Sequence, residues 1–284
     1  MDRKNDGPIC RAEGETAVAS KGYWVIKTEE AGLIGEKTKY WIPGEAPTRS
    51  LRKMKSDIRK LRQNENDLIR RCNRTLNANW PKSDGYLILL TVSDESMSRI
   101  APAYSEEDPD TWDEALLILR HEEELWLRRC ARACKKAGIE FRYYGVASDL
   151  DLDPKHQIHV HTRPHLHFVV DPACVEICKA AWKLGHAGEK QLKSEIDHYD
   201  LAKYLMEQTR RTKEHEIVYT ASRNLAKPKE TIRIAPSDKE VQPPKGARVL
   251  HRTEYRYGRP QYIRYVIPEK TNRKKSKTKG DCEL

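Results

Sequence analysis

Between Pro109 and Gly138 the chain carries one unbroken helical pattern, and it constrains the fold more than any other feature. Proline opens it, acids fill its first turn, and Lys135, Lys136 and Gly138 close it, as the helix dipole and the left-handed exit conformation favour. Trp112, Leu116, Leu119, Trp126 and Cys130 recur at helical spacing, so one face of this helix has to cover something apolar. The flanking segments supply that surface. Gly85 to Ser93 is an apolar run of strand length bounded by Asp84 and Asp94, which predicts a buried central strand. Strands are also predicted at 141–147 and 164–170, with a loop rich in Asp and Pro between them.

The remainder of the chain is less sharply patterned. Residues 1 to about 20 read as a loose leader, and Tyr23 to Trp41 alternates around Gly32 and Gly35 in a way that suits a small hairpin. Thr48 to Leu76 is helical in pattern and strongly basic. Helices are predicted over 173–184 and from Asp197, as N-cap, to about Arg210. Beyond Pro228 proline and lysine increase, a strand pair is expected at 248–267 around Gly258-Arg-Pro260, and the last dozen residues read as a disordered basic tail. The organisation expected is a leader with a hairpin (1–47), a main domain with a basic lead-in helix (48–230), and a C-terminal extension (231–284).

Lysine and arginine exceed the acids by 53 to 43, which points to a polyanionic partner. No apolar run approaches the ~20 residues that span a bilayer, so no membrane partner is expected. The first residues show no apolar stretch behind their charges, so a cytoplasmic location is expected. Seven cysteines, at 10, 72, 130, 134, 174, 178 and 282, imply free thiols rather than a disulfide framework. Cys130-X3-Cys134 and Cys174-X3-Cys178 would make a four-cysteine zinc site if their helices met, although both pairs lie on apolar stripes where a thiol acts as a small hydrophobe. No phosphate-cradling Gly-X4-Gly-Lys-Ser/Thr segment occurs, so strand separation would need a host helicase.

His165-Leu-His167 opens the apolar strand 168–170, and period-two geometry turns both imidazoles to one face, where they make a metal-binding edge. A surface strand can carry such a pair by chance, and His159-Val-His161 repeats the spacing on what reads as an adjoining strand. The helix His198 to Leu205 brings Tyr199, Lys203 and Tyr204 together. A tyrosine can attack a phosphodiester when metal polarises the phosphate and a cation steadies the developing charge, whereas taken alone Tyr204 reads as a packing residue beside Leu201 and Leu205.

Three segments in this order resemble the motifs of the HUH endonuclease superfamily, and specifically its rolling-circle replication initiators. Leu87-Ile-Leu-Leu-Thr91 resembles the first strand motif, Arg163-Pro-His-Leu-His-Phe-Val-Val170 the second, and Leu201-Ala-Lys-Tyr-Leu205 the third. Trp182-Lys-Leu-Gly185 and Ala221 to Pro228 resemble accompanying segments, so that residues 50 to 230 are covered. The resemblance implies an α+β fold with an antiparallel central sheet covered by helices, and single-stranded origin DNA lying across that sheet. It implies Mg²⁺ or Mn²⁺ on His165 and His167, with a third donor from the preceding strand that best matches Asp149; His161 or Asp151 could take that place. Tyr204 matches the nucleophile and Lys203 the cation, and Arg163, Arg210, Arg211, Lys213 and Arg223 become DNA-backbone contacts. The implied activity is nicking of one strand, a covalent 5′-phosphotyrosyl link, and a free 3′ hydroxyl for a host polymerase.

Two departures from the family pattern bear on the site. Several members carry two tyrosines four apart on one helix face, but Tyr199 and Tyr204 are five apart, about 140° around the helix, so only one can face the metal. Tyr204 follows Ala-Lys as the pattern suggests, while the spacing Tyr199-X3-Lys203 favours Tyr199. Glu207 stands where a lysine is common, leaving Lys203, Arg210 or Arg211 to supply the charge. A relaxase or single-strand transposase would use the same chemistry. A DNA-binding regulator without cleavage and a zinc-stabilised binding module are the rivals of another class.

Overall fold

A computed structural model describes residues 22–44, 65–153, 155, 158–193, 196–209, 219–235 and 237–268. In chain order its elements are β1 (Gly22–Ala31), β2 (Ile34–Pro43), α1 (Glu65–Asn79), β3 (Tyr86–Thr91), α2 (Asp94–Ile100), α3 (Trp112–Ala137), β4 (Tyr143–Asp153) and β5 (Ile158–Val170). There follow α4 (Val175–Ala181), β6 (Ala187–Gln191), α5 (Tyr199–Glu207), β7 (Thr220–Ala221), β8 (Lys229–Ala235), β9 (Arg248–Arg252) and β10 (Gln261–Val266). The fold is α+β, with two five-stranded antiparallel sheets ordered β6-β3-β5-β4-β7 and β8-β1-β2-β10-β9. Among the described residues no helix is long and apolar enough to cross a membrane.

The first sheet is covered on both faces, and strand alternation decides what each face meets. Ile88 and Leu90 of β3 and Leu166, Phe168 and Val170 of β5 pack against Leu119, Trp126 and Cys130 of α3 and Cys178 of α4. Residues one step out of phase, Leu87, Tyr144, Val146 and Val169, meet Cys72 and Leu76 of α1 and Ala202 and Leu205 of α5. The Pro109–Gly138 helix therefore covers the sheet as expected; Gly138 leaves it with φ +70° and its N–H returns to the carbonyls of Cys134 and Lys135.

Three sequence expectations are corrected. His159 and His161 lie on the same strand as His165 and His167, because β4 and β5 continue as one long hairpin with Leu150 opposite His161 and Leu152 opposite His159. Asp197 caps no helix: α5 starts after His198 without a side-chain cap, and the Asp197 carboxylate accepts from Asn73 (2.9 Å) and Asn77 (3.0 Å) of α1. The helix predicted over 173–184 is shorter, a 3₁₀ turn at Pro172–Cys174 leading into α4. The leader, residues 48–64 of the basic lead-in and the basic tail fall outside the described residues.

The expected hairpin and the expected C-terminal strand pair both form, and together with β8 they make the second sheet. Sequence patterning gave no sign that residues so distant would pair. Gly32 turns the hairpin with φ +56°, and a Cβ there would sit 2.2 Å from the Asn77 carbonyl oxygen, so glycine is needed both for the turn and for its approach to α1. Arg74 of α1 fixes the second sheet to the first through Glu29 (2.9 Å) and Glu36 (3.0 Å), all three buried.

Candidate active site

On β5 the alternation that buries Leu166 and Phe168 against α3 turns His165 and His167 toward α5. Their backbone partners are Thr91 and Leu89 on β3 and Ser148 and Val146 on β4, so the pair stands mid-sheet on a braced strand. The rings lie 4.7 Å apart and nearly perpendicular. His165 Nδ1 donates to the Arg163 carbonyl at 2.9 Å, which leaves the Nε2 lone pair available. His167 is 2% exposed, and among the described residues neither of its ring nitrogens has a hydrogen-bond partner. Buried polar atoms are rarely left so, and an orphaned imidazole beside a second one is what a metal-ion edge requires.

Burial drives both imidazoles toward the neutral, ligating form. It pushes His167 down to about 3, with His165 adding to the shift, and lowers His165 against the opposing pull of the Arg163 carbonyl and the Asp151 charge. A stability prediction follows for the metal-free protein. The unfolded histidine binds its proton near 6.5, so between there and about 3 the unfolded state holds the extra proton. His167 therefore contributes stability above 6.5 that is lost as pH falls through this window, by at most about 1.4 kcal/mol per pH unit. Urea unfolding at a series of pH values should show a shallower acid slope for His167→Gln than for wild type.

Helix α5 presents its two tyrosines in different directions, as their spacing requires. Tyr204 packs edge-on to His167, ring centres 5.3 Å apart, and burial followed by the Asp151 charge raises its hydroxyl above the usual phenol range. Tyr199 instead lies under the Arg264 guanidinium of β10, 3.9 Å from its ring centre. Lys203 is half exposed, with Nζ 3.9 Å from Glu207.

Asp149, the best sequence match for a third donor, is placed beside His161: its carboxylate lies 3.5 Å from Nδ1, the imidazole stacks on Trp112 at 3.5 Å, and Nε2 is 3.2 Å from the Tyr104 hydroxyl. The charge of Asp149 bears on Tyr104, whereas that of Asp151 bears on His165 and Tyr204. The cause is a register shift between Ser148 and Leu150, where β5 runs through Pro164, which has no N–H to give the ladder. Two nitrogen donors thus fit a divalent cation, with Asp151 the carboxylate whose charge reaches His165. Among the described residues no group of three or more His, Cys, Asp or Glu is arranged to hold a metal ion.

A cleft of about 620 Å³ opens beside the pair. His167 and Tyr204 stand on its wall, Leu87, Leu89, Leu192 and Leu201 line it with apolar surface, and Lys190, Lys193 and Asp200 are among its polar residues. The sequence pattern places Leu87 and Leu89 in a buried strand and not on a cleft, because both phases of β3 are apolar. His198 also lines the cleft; it is buried and fixed by Asn77, which accepts from its backbone N–H (3.1 Å), and by the Trp80 carbonyl at 2.7 Å from Nε2.

Of the proposed backbone contacts, Arg163 is bound by Asp94 (2.5 Å) and Glu106 (3.0 Å), and exposed Arg223 lines a shallow cavity with Lys135 and Phe141 beyond the end of α3. Arg210, Arg211 and Lys213 lie outside the described residues. The cysteine pairs of α3 and the α4 region do meet, Cys134 Sγ 3.9 Å from Cys174 Sγ, but as fully buried thiols in the core; burial raises Cys134 and, first among its causes, pushes Cys174 up to about 12.

No protein-family model, curated protein or solved structure matches this chain. Its function has to be read from the site itself.

Proposed function

We propose that the protein is a metal-dependent, tyrosine-nucleophile endonuclease and strand transferase that nicks single-stranded DNA at a replication origin and so initiates rolling-circle replication of a plasmid or phage. The observation that carries this reading is the packing of Tyr204 against the orphaned, neutral His167 on the wall of an open cleft. The three elements resembling the HUH endonuclease motifs, β3, β5 and α5, meet there.

In this reading the Tyr204 oxygen attacks the scissile phosphorus, the bond from phosphorus to the 3′ oxygen breaks, the 3′ oxygen takes up a proton, and the 5′ phosphate remains on the tyrosine. Rejoining is the reverse. A divalent cation, Mg²⁺ or Mn²⁺, on His165 and His167 would withdraw charge from the phosphate and lower the cost of deprotonating the phenol. Without it burial, and after it the Asp151 charge, keep the proton on Tyr204 Oη. The leucines of the cleft offer surface to bases, and Lys190 and Lys193 offer charge to the backbone. Copying from the 3′ hydroxyl would fall to a host polymerase, behind a host helicase.

The test is incubation of the full chain and Mn²⁺ with labelled single-stranded oligonucleotides from its own replicon. A protein-DNA adduct that survives denaturation and disappears with a chelator is expected. Binding without any adduct on origin sequences would favour a DNA-binding regulator, which the pairing of Lys203 with Glu207 also suits. Transposon ends beside the gene, in place of a single-strand origin, would favour a transposase using the same site.

A further inference from the structure

The second sheet meets the nucleophile helix at a cluster of cationic groups that the chemistry above does not use. Arg264 of β10 lies 3.9 Å over the Tyr199 ring, and Arg70 of α1 lies 4.0 Å over the ring of Tyr262, two residues before Arg264. His251 of β9 is the cross-strand partner of Arg264, and its ring is 5.9 Å from that of Tyr262. Strand alternation places Tyr262, Arg264 and His251 on one face, the face α1 covers. Counter-charge is scarce there. Asp197 pairs with Arg264 at 3.2 Å, Glu36 is taken by Arg74, and among the described residues no carboxylate pairs with Arg70 or His251. The excess of positive charge is felt locally: after burial, Arg264 and Arg70 are what lower the pKa of exposed His251.

We infer that Arg70, Arg264 and His251 form a phosphate-binding site for the single strand that occupies the cleft, so that the second sheet is part of the DNA track. Continuity supports it. His198, Asp200 and Leu201 line the cleft, and Tyr199, which lies between them in the chain, is the residue under Arg264. Each guanidinium is held over an aromatic ring, so less side-chain freedom is lost when an anion arrives. The site rests on the functional reading above only in requiring that the protein bind single-stranded DNA.

Anisotropy of a labelled oligonucleotide, measured on the full chain with chelator present and at several salt concentrations, tests it without cleavage. Arg70→Gln should weaken binding and reduce the slope of log K against log salt by about 0.7, the loss of one phosphate contact, and Arg70→Lys should restore the slope. In wild-type protein the NMR titration midpoint of His251 should rise when oligonucleotide is added, a readout that needs no substitution. If the arginines serve only to join the sheet to α1 and α5, Arg70→Gln lowers thermal stability, leaves the salt slope and the His251 midpoint unchanged, and the inference falls. Failure of wild type to bind any single strand would overturn the functional reading itself.

Discussion

Tyr204→Phe is expected to abolish the covalent adduct while leaving the protein folded. The substitution removes one oxygen and keeps the ring that packs against His167 and joins the cluster of Leu205, Ala202 and Leu76. The stability change should therefore stay within about 1 kcal/mol, since only a partly buried hydroxyl is lost. Activity should fall by on the order of 10⁴-fold or more, because among the described residues lining that cleft no other side chain carries a hydroxyl to form the phosphoester bond. Tyr199→Phe is the matched control: its ring stays under Arg264, and adduct should still form. The reverse pattern would move the nucleophile to Tyr199. Adduct persisting in both variants would point to another hydroxyl, such as that of Tyr104 beside His161.

Much of this site could be read in the sequence because two periodicities suffice for it. Period two alone turned His165 and His167 to one face with Leu166 to the other, and 100° per residue separated Tyr199 from Tyr204. What escaped depends on contacts between distant segments or on broken periodicity. Asp149 was expected beside the pair, but alternation counted along 143–149 fails at the register shift, and Pro164 was the signal that it would. Arg163 read as a DNA contact because nothing in its neighbourhood announced that Asp94 and Glu106 would close on it. Asp197 had the composition of a helix cap and became an acceptor for two asparagines of α1. The second sheet was hardest of all: β8 joins β1, and β10 joins β2, across nearly the whole chain, and local pattern cannot register such pairs.

That sheet depends on Arg74, and Arg74→Met should destabilise the protein by about 3–5 kcal/mol in urea unfolding near neutral pH. Its guanidinium is the common partner of Glu29 and Glu36. Methionine fills similar volume and leaves both carboxylates buried without it, Glu29 retaining Lys27 on its other oxygen. Burial already raises the pKa of Glu36, against the opposing effects of Arg74, so removing the arginine raises it further. The sign of the pH dependence then distinguishes this cause from a simple packing defect. A carboxyl whose folded pKa lies above its unfolded value of 4.5 contributes stability below 4.5 that is lost as pH rises through the folded value. The deficit of Arg74→Met relative to wild type should accordingly shrink as pH is lowered from 7 toward 4.5, and adding Glu36→Gln should recover part of it at neutral pH. A deficit constant with pH would mean that Arg74 acts through packing, and that the charges of Glu29 and Glu36 are satisfied without it.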